Sequence, residues 1–304
     1  MFKVGEYALS LRFGIHLPTH GGYRYRDLLK VSLAADRLGF CSLWVGDHFY
    51  LPEEYYARSG GDPAKPDKLD AWTVLAALAS QTDKIRLGTR VSPIPFYTPT
   101  RLAKVVTTVD IISGGRVDFG VGAGWFKEEA VSYGVWWGNH KERISRMLEG
   151  LEIILKLWTE DRTTYKGKHY EVYNAPFWPK PVQKPHPPVW FGGASDQILE
   201  ATVKYGVGLL PPPDISVDEF KELADKIARI AENSGGKKVS LMASLSYPEG
   251  LGEKPSKWLS TIEEYIEAGA NGILIDFSRA GTPSDEAASM LKEFSSQVFP
   301  RLLR

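Results

Sequence analysis

The 304-residue sequence predicts an α/β fold of the (β/α)8 barrel type, the TIM barrel. Three observations carry this expectation. Eight short apolar runs recur along the chain, and amphipathic stretches with helical spacing separate them. The length suits one such barrel, which takes about 250 residues before insertions. The runs are expected as strands at 11–17, 41–45, 85–91, 117–121, 189–192, 206–210, 239–245 and 272–277. Each is short and mostly apolar, as expected for parallel strands covered on both faces. A doubly wound open sheet is the competing architecture. After the first run, however, the chain reads PTHGGYRYRD, which lacks the glycine spacing that such folds place there.

The clearest helix is expected at 139–158. Ile144, Leu148, Leu151, Leu155 and Trp158 recur there at helical spacing behind an Asn139 N-cap. Ser113, Gly114 and Gly115 stop a helix that begins near Thr100, and Gly39 and Gly269 close two others just before strands. Two segments break the alternation, as insertions after strand 2 and before strand 5. Residues 50–69 form a long loop. Residues 159–188 carry a hairpin turning at Lys166–Lys168 and then a proline-rich run. Long loops of this kind are usually lids or binding loops, and both are expected to line the substrate pocket. With no linker or repeat in sight, residues 1–304 read as one domain.

Composition excludes several functions. Lysine plus arginine equals aspartate plus glutamate at 37 each, so nothing steers the chain to nucleic acid or an anionic membrane. No apolar run reaches membrane-spanning length, and residues 1–18 show no signal peptide, so a cytoplasmic protein is expected. The single cysteine, Cys41, forbids an internal disulfide or a cysteine-based metal cluster. No metal site is expected: His16 and His20 are four apart, but Pro18 lies between them, so they share no helix face.

In a parallel barrel the chemistry lies just beyond the C-terminal strand ends. After strand 2 come Asp47 and His48, an adjacent carboxylate and imidazole suited to handling a proton. After strand 4 the alternating glycines, Gly122 among them, let the backbone approach a ligand. After strand 5, Gly192, Gly193, Ala194 and Ser195 lead into a helix. Small residues and a hydroxyl at a helix N-terminus make a phosphate site, although Ser195 could equally be a plain N-cap.

Four stretches together resemble the luciferase-like monooxygenase family: 42–49 (SLWVGDHF), 85–125, 141–160 and 179–193 (PKPVQKPHPPVWFGG). Within that family they resemble most the branch that uses the deazaflavin coenzyme F420. The resemblance implies a barrel whose C-terminal mouth holds the cofactor ring, with the cofactor phosphate at 192–195. It implies that His48 stands beside the reactive ring with Asp47 tuning it. It also implies that Arg90 and Val91 join in a non-proline cis peptide against the ring. The implied activity is hydride transfer between a small organic substrate and F420. An FMN-dependent two-component monooxygenase, served by a separate flavin or F420 reductase, is the alternative, and a non-catalytic flavin-binding protein a third. A homodimer or larger homo-oligomer is implied too. One departure stands out. Where relatives often read Asp-Gly-Trp at the end of strand 6, this chain has Val207, Gly208 and Leu209.

Overall fold

In the computed structural model, which describes residues 11–236, 238–279 and 281–303, eight parallel strands close into a ring. The elements run β1 (Arg12–Leu17), α1 (Tyr25–Leu38), β2 (Ser42–Val45), α2 (Glu53–Ser59), α3 (Ala71–Ala79), β3 (Arg86–Thr89), β4 (Ser92–Pro93), α4 (Pro99–Ile112), β5 (Val117–Gly122), α5 (Lys127–Ser132) and α6 (His140–Thr159). They continue with β6 (Arg162–Lys166), β7 (Glu171–Pro176), β8 (Val189–Gly192), α7 (Asp196–Tyr205), β9 (Gly208–Leu210), α8 (Val217–Asn233), β10 (Ser240–Ser246), α9 (Pro255–Glu267), β11 (Gly272–Asp276), α10 (Ser284–Gln297) and α11 (Phe299–Leu302). The ring order is β1–β2–β3–β5–β8–β9–β10–β11, and β11 pairs back onto β1. All eight expected strands are present. Ten of the eighteen residues in the N-terminal stretch read for a signal peptide, 1–10, lie outside the described residues.

Side chains fill the barrel interior, and glycines on neighbouring strands make room for the largest of them. Trp44, Trp190, Val207, Leu210, Met242 and Leu274 pack together there, with the two indoles edge to face at 5.7 Å. A Cβ at Gly88 would sit 2.6 Å from the Trp44 ring, and one at Gly208 would run into the Trp190 ring. The departure at 207–209 is therefore occupied by core packing. Val207 and Leu209 are buried, and the bare Gly208 seats Trp190.

Helix α6 starts where the sequence places it. Asn139 accepts from the Glu142 N–H, while the Glu142 carboxylate accepts from the Asn139 N–H, closing a capping box. The buried stripe differs slightly from the expected one. Ile144, Met147, Leu151, Ile154 and Leu157 face the core, and Leu148 and Leu155 lie on its margin. The reason is that 3.6-residue periodicity lets either of two adjacent apolar positions continue a stripe.

Both insertions depart from expectation in part. Residues 53–59 form the short helix α2 within the first. In the second, the predicted hairpin is β6–β7, antiparallel and turned at Gly167. It packs against α6, away from the barrel mouth. The Glu149 carboxylate on α6 accepts from the backbone N–H groups of Lys168, His169 and Tyr170 at 2.8–3.1 Å. The Tyr165 hydroxyl donates to Glu152.

Candidate active site

A cavity of about 450 Å³ opens at the C-terminal ends of the strands. The expected site residues converge on it. His48 follows β2, and Arg90 and Val91 follow β3. Gly122 ends β5, and Gly192, Gly193, Ala194 and Ser195 lead from β8 into α7. The Arg90–Val91 peptide is cis. Gly122 and Gly192 have a more specific use than backbone approach in general. A Cβ at Gly122 would lie 2.5 Å from a Val91 methyl, and one at Gly192 would lie 2.9 Å from the same side chain. The two glycines seat Val91 between β5 and β8 in the cavity wall.

Asp47 alone among the expected residues lines no part of this cavity. It is buried and borders a smaller neighbouring cavity, where its carboxylate accepts from the Ser92 hydroxyl at 2.5 Å and the Tyr97 hydroxyl at 2.8 Å. Burial pushes its carboxyl up from the ordinary range, with the two hydroxyl bonds working against that. The carboxylate that touches the imidazole is Glu129 on α5, fully buried, whose Oε2 lies 2.7 Å from His48 Nδ1. Glu129 Oε1 also accepts from the Phe49 N–H, tying the residue after His48 to the same group. A carboxylate only accepts, so His48 carries its proton on Nδ1, and Nε2 is free to take one. Of the two carboxylates, Glu129 is the one in contact with the His48 ring. His48 also borders the smaller cavity beside Asp47, but its Nδ1 is bonded to Glu129, while the Asp47 carboxylate is bonded to the Ser92 and Tyr97 hydroxyls.

The β1 side of the cavity supplies groups the sequence reading did not single out for chemistry. Buried His16 lies 3.1 Å from Asp276 on β11 through Nδ1, and Arg90 bonds the other Asp276 oxygen at 3.3 Å. Burial pulls the His16 imidazole below its usual pKa despite Asp276. Burial opposes ionisation of Asp276, yet His16 and Arg90 hold its carboxyl far below the usual range. Neutral His16 therefore donates from Nδ1 to a carboxylate, and its Nε2 is buried without a partner. Both ring nitrogens of His20 are likewise buried and unpartnered, and burial lowers its pKa to about 3. Lys68, from the first insertion, reaches the same wall and donates to the Thr19 hydroxyl. Of the two insertions, only the first lines the cavity, through Leu51, Tyr55 and Lys68; no residue of 159–188 does. Trp125 lines it as well, edge to face with His48 at 5.7 Å. Tyr56 of the first insertion is fully buried, and Trp178 of the second is exposed.

The signals for these extra groups were weak. Glu129 and Glu128 look alike in sequence, and only the orientation of α5 buries one and exposes the other. His16 and Asp276 are brought together by barrel closure, when β11 pairs with β1 in a register that sets one beside the other.

The turn after β8 has the features of an oxyanion cradle. Ser195 stands at the N-cap of α7 but makes no capping bond, and its hydroxyl is buried without a partner. Gly193 has φ +122°, a conformation that side-chain-bearing residues rarely adopt. A phosphate fits such a place, since it can accept from the hydroxyl and from the free N–H groups of the helix start.

The sequence profile of the luciferase-like monooxygenase family matches residues 7–288. The chain belongs to this family. Among its relatives is an F420-dependent glucose-6-phosphate dehydrogenase of Amycolatopsis mediterranei, 33% identical over 69% of this chain and 57% of that enzyme. Another is an FMNH2-dependent dimethylsulfone monooxygenase of Pseudomonas putida, 28% identical over 84% of this chain and 68% of the other. The family thus has F420-dependent and FMN-dependent members. The fold is also that of a solved F420-dependent secondary alcohol dehydrogenase, in complex with an F420–acetone adduct. That structure has a TM-score of 0.80 and 20% identity, over 95% of this chain and 98% of that one. Luciferase-like chains are oxidoreductases or monooxygenases. In this one, no helix among the described residues is long and apolar enough to cross a membrane. Nor do three or more His, Cys, Asp or Glu side chains gather among those residues in a way that could hold a metal ion.

Proposed function

We propose that this protein is a cytoplasmic oxidoreductase that transfers hydride between a small organic substrate and coenzyme F420 bound at the C-terminal mouth of the barrel. One observation carries the reading. His48, fixed by a buried carboxylate, and the orphaned Ser195 hydroxyl in its glycine turn face one shared cavity. Ser195, Ala194 and Gly193 would hold the cofactor phosphate, and Val91, seated by Gly122 and Gly192, would support the ring. When bound, the deazaflavin supplies a carbon that accepts or gives hydride. The chain's own contribution is orientation, exclusion of water and proton handling. His48 Nε2 takes the hydroxyl proton of an alcohol substrate, or returns it in the reverse direction. Glu129 stabilises the imidazolium that forms.

His48→Ala should lower turnover by about 10²–10⁴-fold while leaving cofactor affinity nearly unchanged. Equal turnover in the variant would remove His48 from the mechanism. The FMN-dependent reading rests on the similarity to the dimethylsulfone monooxygenase. It predicts oxygen consumption with reduced FMN from a separate reductase, whereas the deazaflavin reading predicts none. The retained His48–Glu129 pair argues against a protein that merely stores flavin. A homodimer or larger assembly of 1–304 as one domain belongs to the same proposal, and light scattering in solution tests it.

A further inference from the structure

The wall of the cavity nearest β1 and β2 carries a hydrogen-bond acceptor, His16 Nε2, and a donor, Lys68 Nζ. A Cβ built on Gly46 would lie 3.9 Å from His16 Nε2, 3.9 Å from His48 Cδ2 and 3.9 Å from Lys68 Nζ. Three side chains from three different segments therefore meet around one point. Their hydrogen-bonding characters differ. His16 Nε2 is a bare lone pair, because Nδ1 spends its proton on Asp276, and it has no partner although buried. Lys68 Nζ carries three protons and gives one to Thr19, and no carboxylate lies within 4 Å of it among the described residues. Much of the remaining wall is carbon, including Leu17, Leu51, Pro93, Ile144 and Leu210.

We propose that His16 Nε2 and Lys68 Nζ, meeting over Gly46 beside His48, form a two-point clamp that recognises the hydroxyl or carbonyl oxygen of a neutral, otherwise apolar substrate. A hydroxyl fits both partners at once, donating to His16 and accepting from Lys68. A carbonyl keeps the lysine bond. A carboxylate only accepts, and the histidine lone pair disfavours it. Burial of the ammonium pulls Lys68 down to about 8, against the pull of Asp47, Glu129 and Asp67, so it still donates at neutral pH. The ring order supports the division of labour. The clamp stands at β1 and β2, and β8 with its cradle lies four strands from β1 in either direction. The substrate oxygen and the cofactor phosphate would thus occupy opposite poles of the cavity. Lys68 and His16 are positioning residues here, and proton transfer stays with His48. The inference rests on the cavity being the substrate site of the proposed oxidoreductase.

The test measures binding of cyclohexanol, cyclohexanone and cyclohexanecarboxylate to the cofactor-free protein, by quenching of tryptophan fluorescence. Its outcome is thereby separate from whether F420 or FMN binds. The variants are Lys68→Met, Gly46→Ala and Glu149→Ala. Gly46→Ala adds a methyl at ordinary van der Waals distance from all three side chains, so it narrows the clamp without disturbing the fold. Cyclohexanol should bind the parent protein more tightly than cyclohexanecarboxylate does. Lys68→Met and Gly46→Ala should each weaken it by about tenfold or more, and Glu149→Ala, away from the cavity, should leave it unchanged. The infrared carbonyl stretch of bound cyclohexanone should fall in the parent and return toward its free value in Lys68→Met. Tighter binding of the carboxylate, no saturable binding of cyclohexanol, or alcohol binding and a carbonyl stretch that both ignore Lys68 would each overturn the clamp.

Discussion

His48 and Asp47 are neighbours in sequence, but they bond different partners in the site. After β2, His48 lines both the large cavity and the smaller one beside it, whereas Asp47 lines only the smaller one and bonds the Ser92 and Tyr97 hydroxyls. The carboxylate that does reach the imidazole comes from 81 residues further along, on α5. Sequence adjacency suggests a pair, and the folded chain gives each member its own hydrogen-bond partners. Lys68 shows a second residue-scale effect. Its pKa falls from 10.5 to about 8 because burial penalises the ammonium. Between those values the unfolded chain holds a proton that the folded chain has lost, so stability rises with pH across that window. Lys68→Met should therefore melt higher than the parent at pH 7, and the difference should shrink by pH 10. Thermal melts across that range check it; a variant that melts lower at pH 7 would show that the ammonium stabilises the fold. Asp36 has the opposite sign. Burial opposes its ionisation, yet the N–H groups of Asp83, Lys84 and Ile85 hold its pKa below the ordinary value. The stability it contributes is present at neutral pH and is lost as pH falls through its depressed pKa. Asp36→Asn should accordingly cost stability at pH 7 and little in strong acid.

At the scale of elements, the strands were legible because parallel barrel strands are short, apolar and regularly interrupted. The positions of the glycines within them had no such explanation until the indoles were placed. Gly208→Ala should destabilise by about 1–3 kcal/mol, since the added methyl runs into Trp190 in a filled interior. Chemical denaturation measures this directly, and a neutral result would mean that the barrel interior yields. The hairpin β6–β7 was legible from its turn, but its use was not. Expected as part of the pocket, it is instead pinned to α6 by Glu149. Glu149→Ala should raise hydrogen exchange of residues 162–176 and leave ligand affinity alone, because no residue of the hairpin lines the cavity. Loss of affinity in that variant would restore the hairpin as a lid.

For the whole molecule, closure of the ring is what turns scattered residues into a site. Local pattern located the strand ends, so residues named from those ends, such as His48 and the turn at 192–195, lie together on one cavity. Residues that meet through partners distant in sequence, such as His16 with Asp276 or Lys68 over Gly46, carry no local mark, because their pairing depends on register between β1 and β11 and on the path of a long loop. The same closure places the imidazole and the glycine turn on one cavity, and the redox assignment depends on that placement. Titration of F420 fluorescence against the parent, Ser195→Asp and His48→Ala tests it most directly. Saturable binding in the parent, its loss when a negative charge is set in the cradle, and its retention in His48→Ala are the expected results. Binding indifferent to Ser195→Asp would contradict the placement of the cofactor.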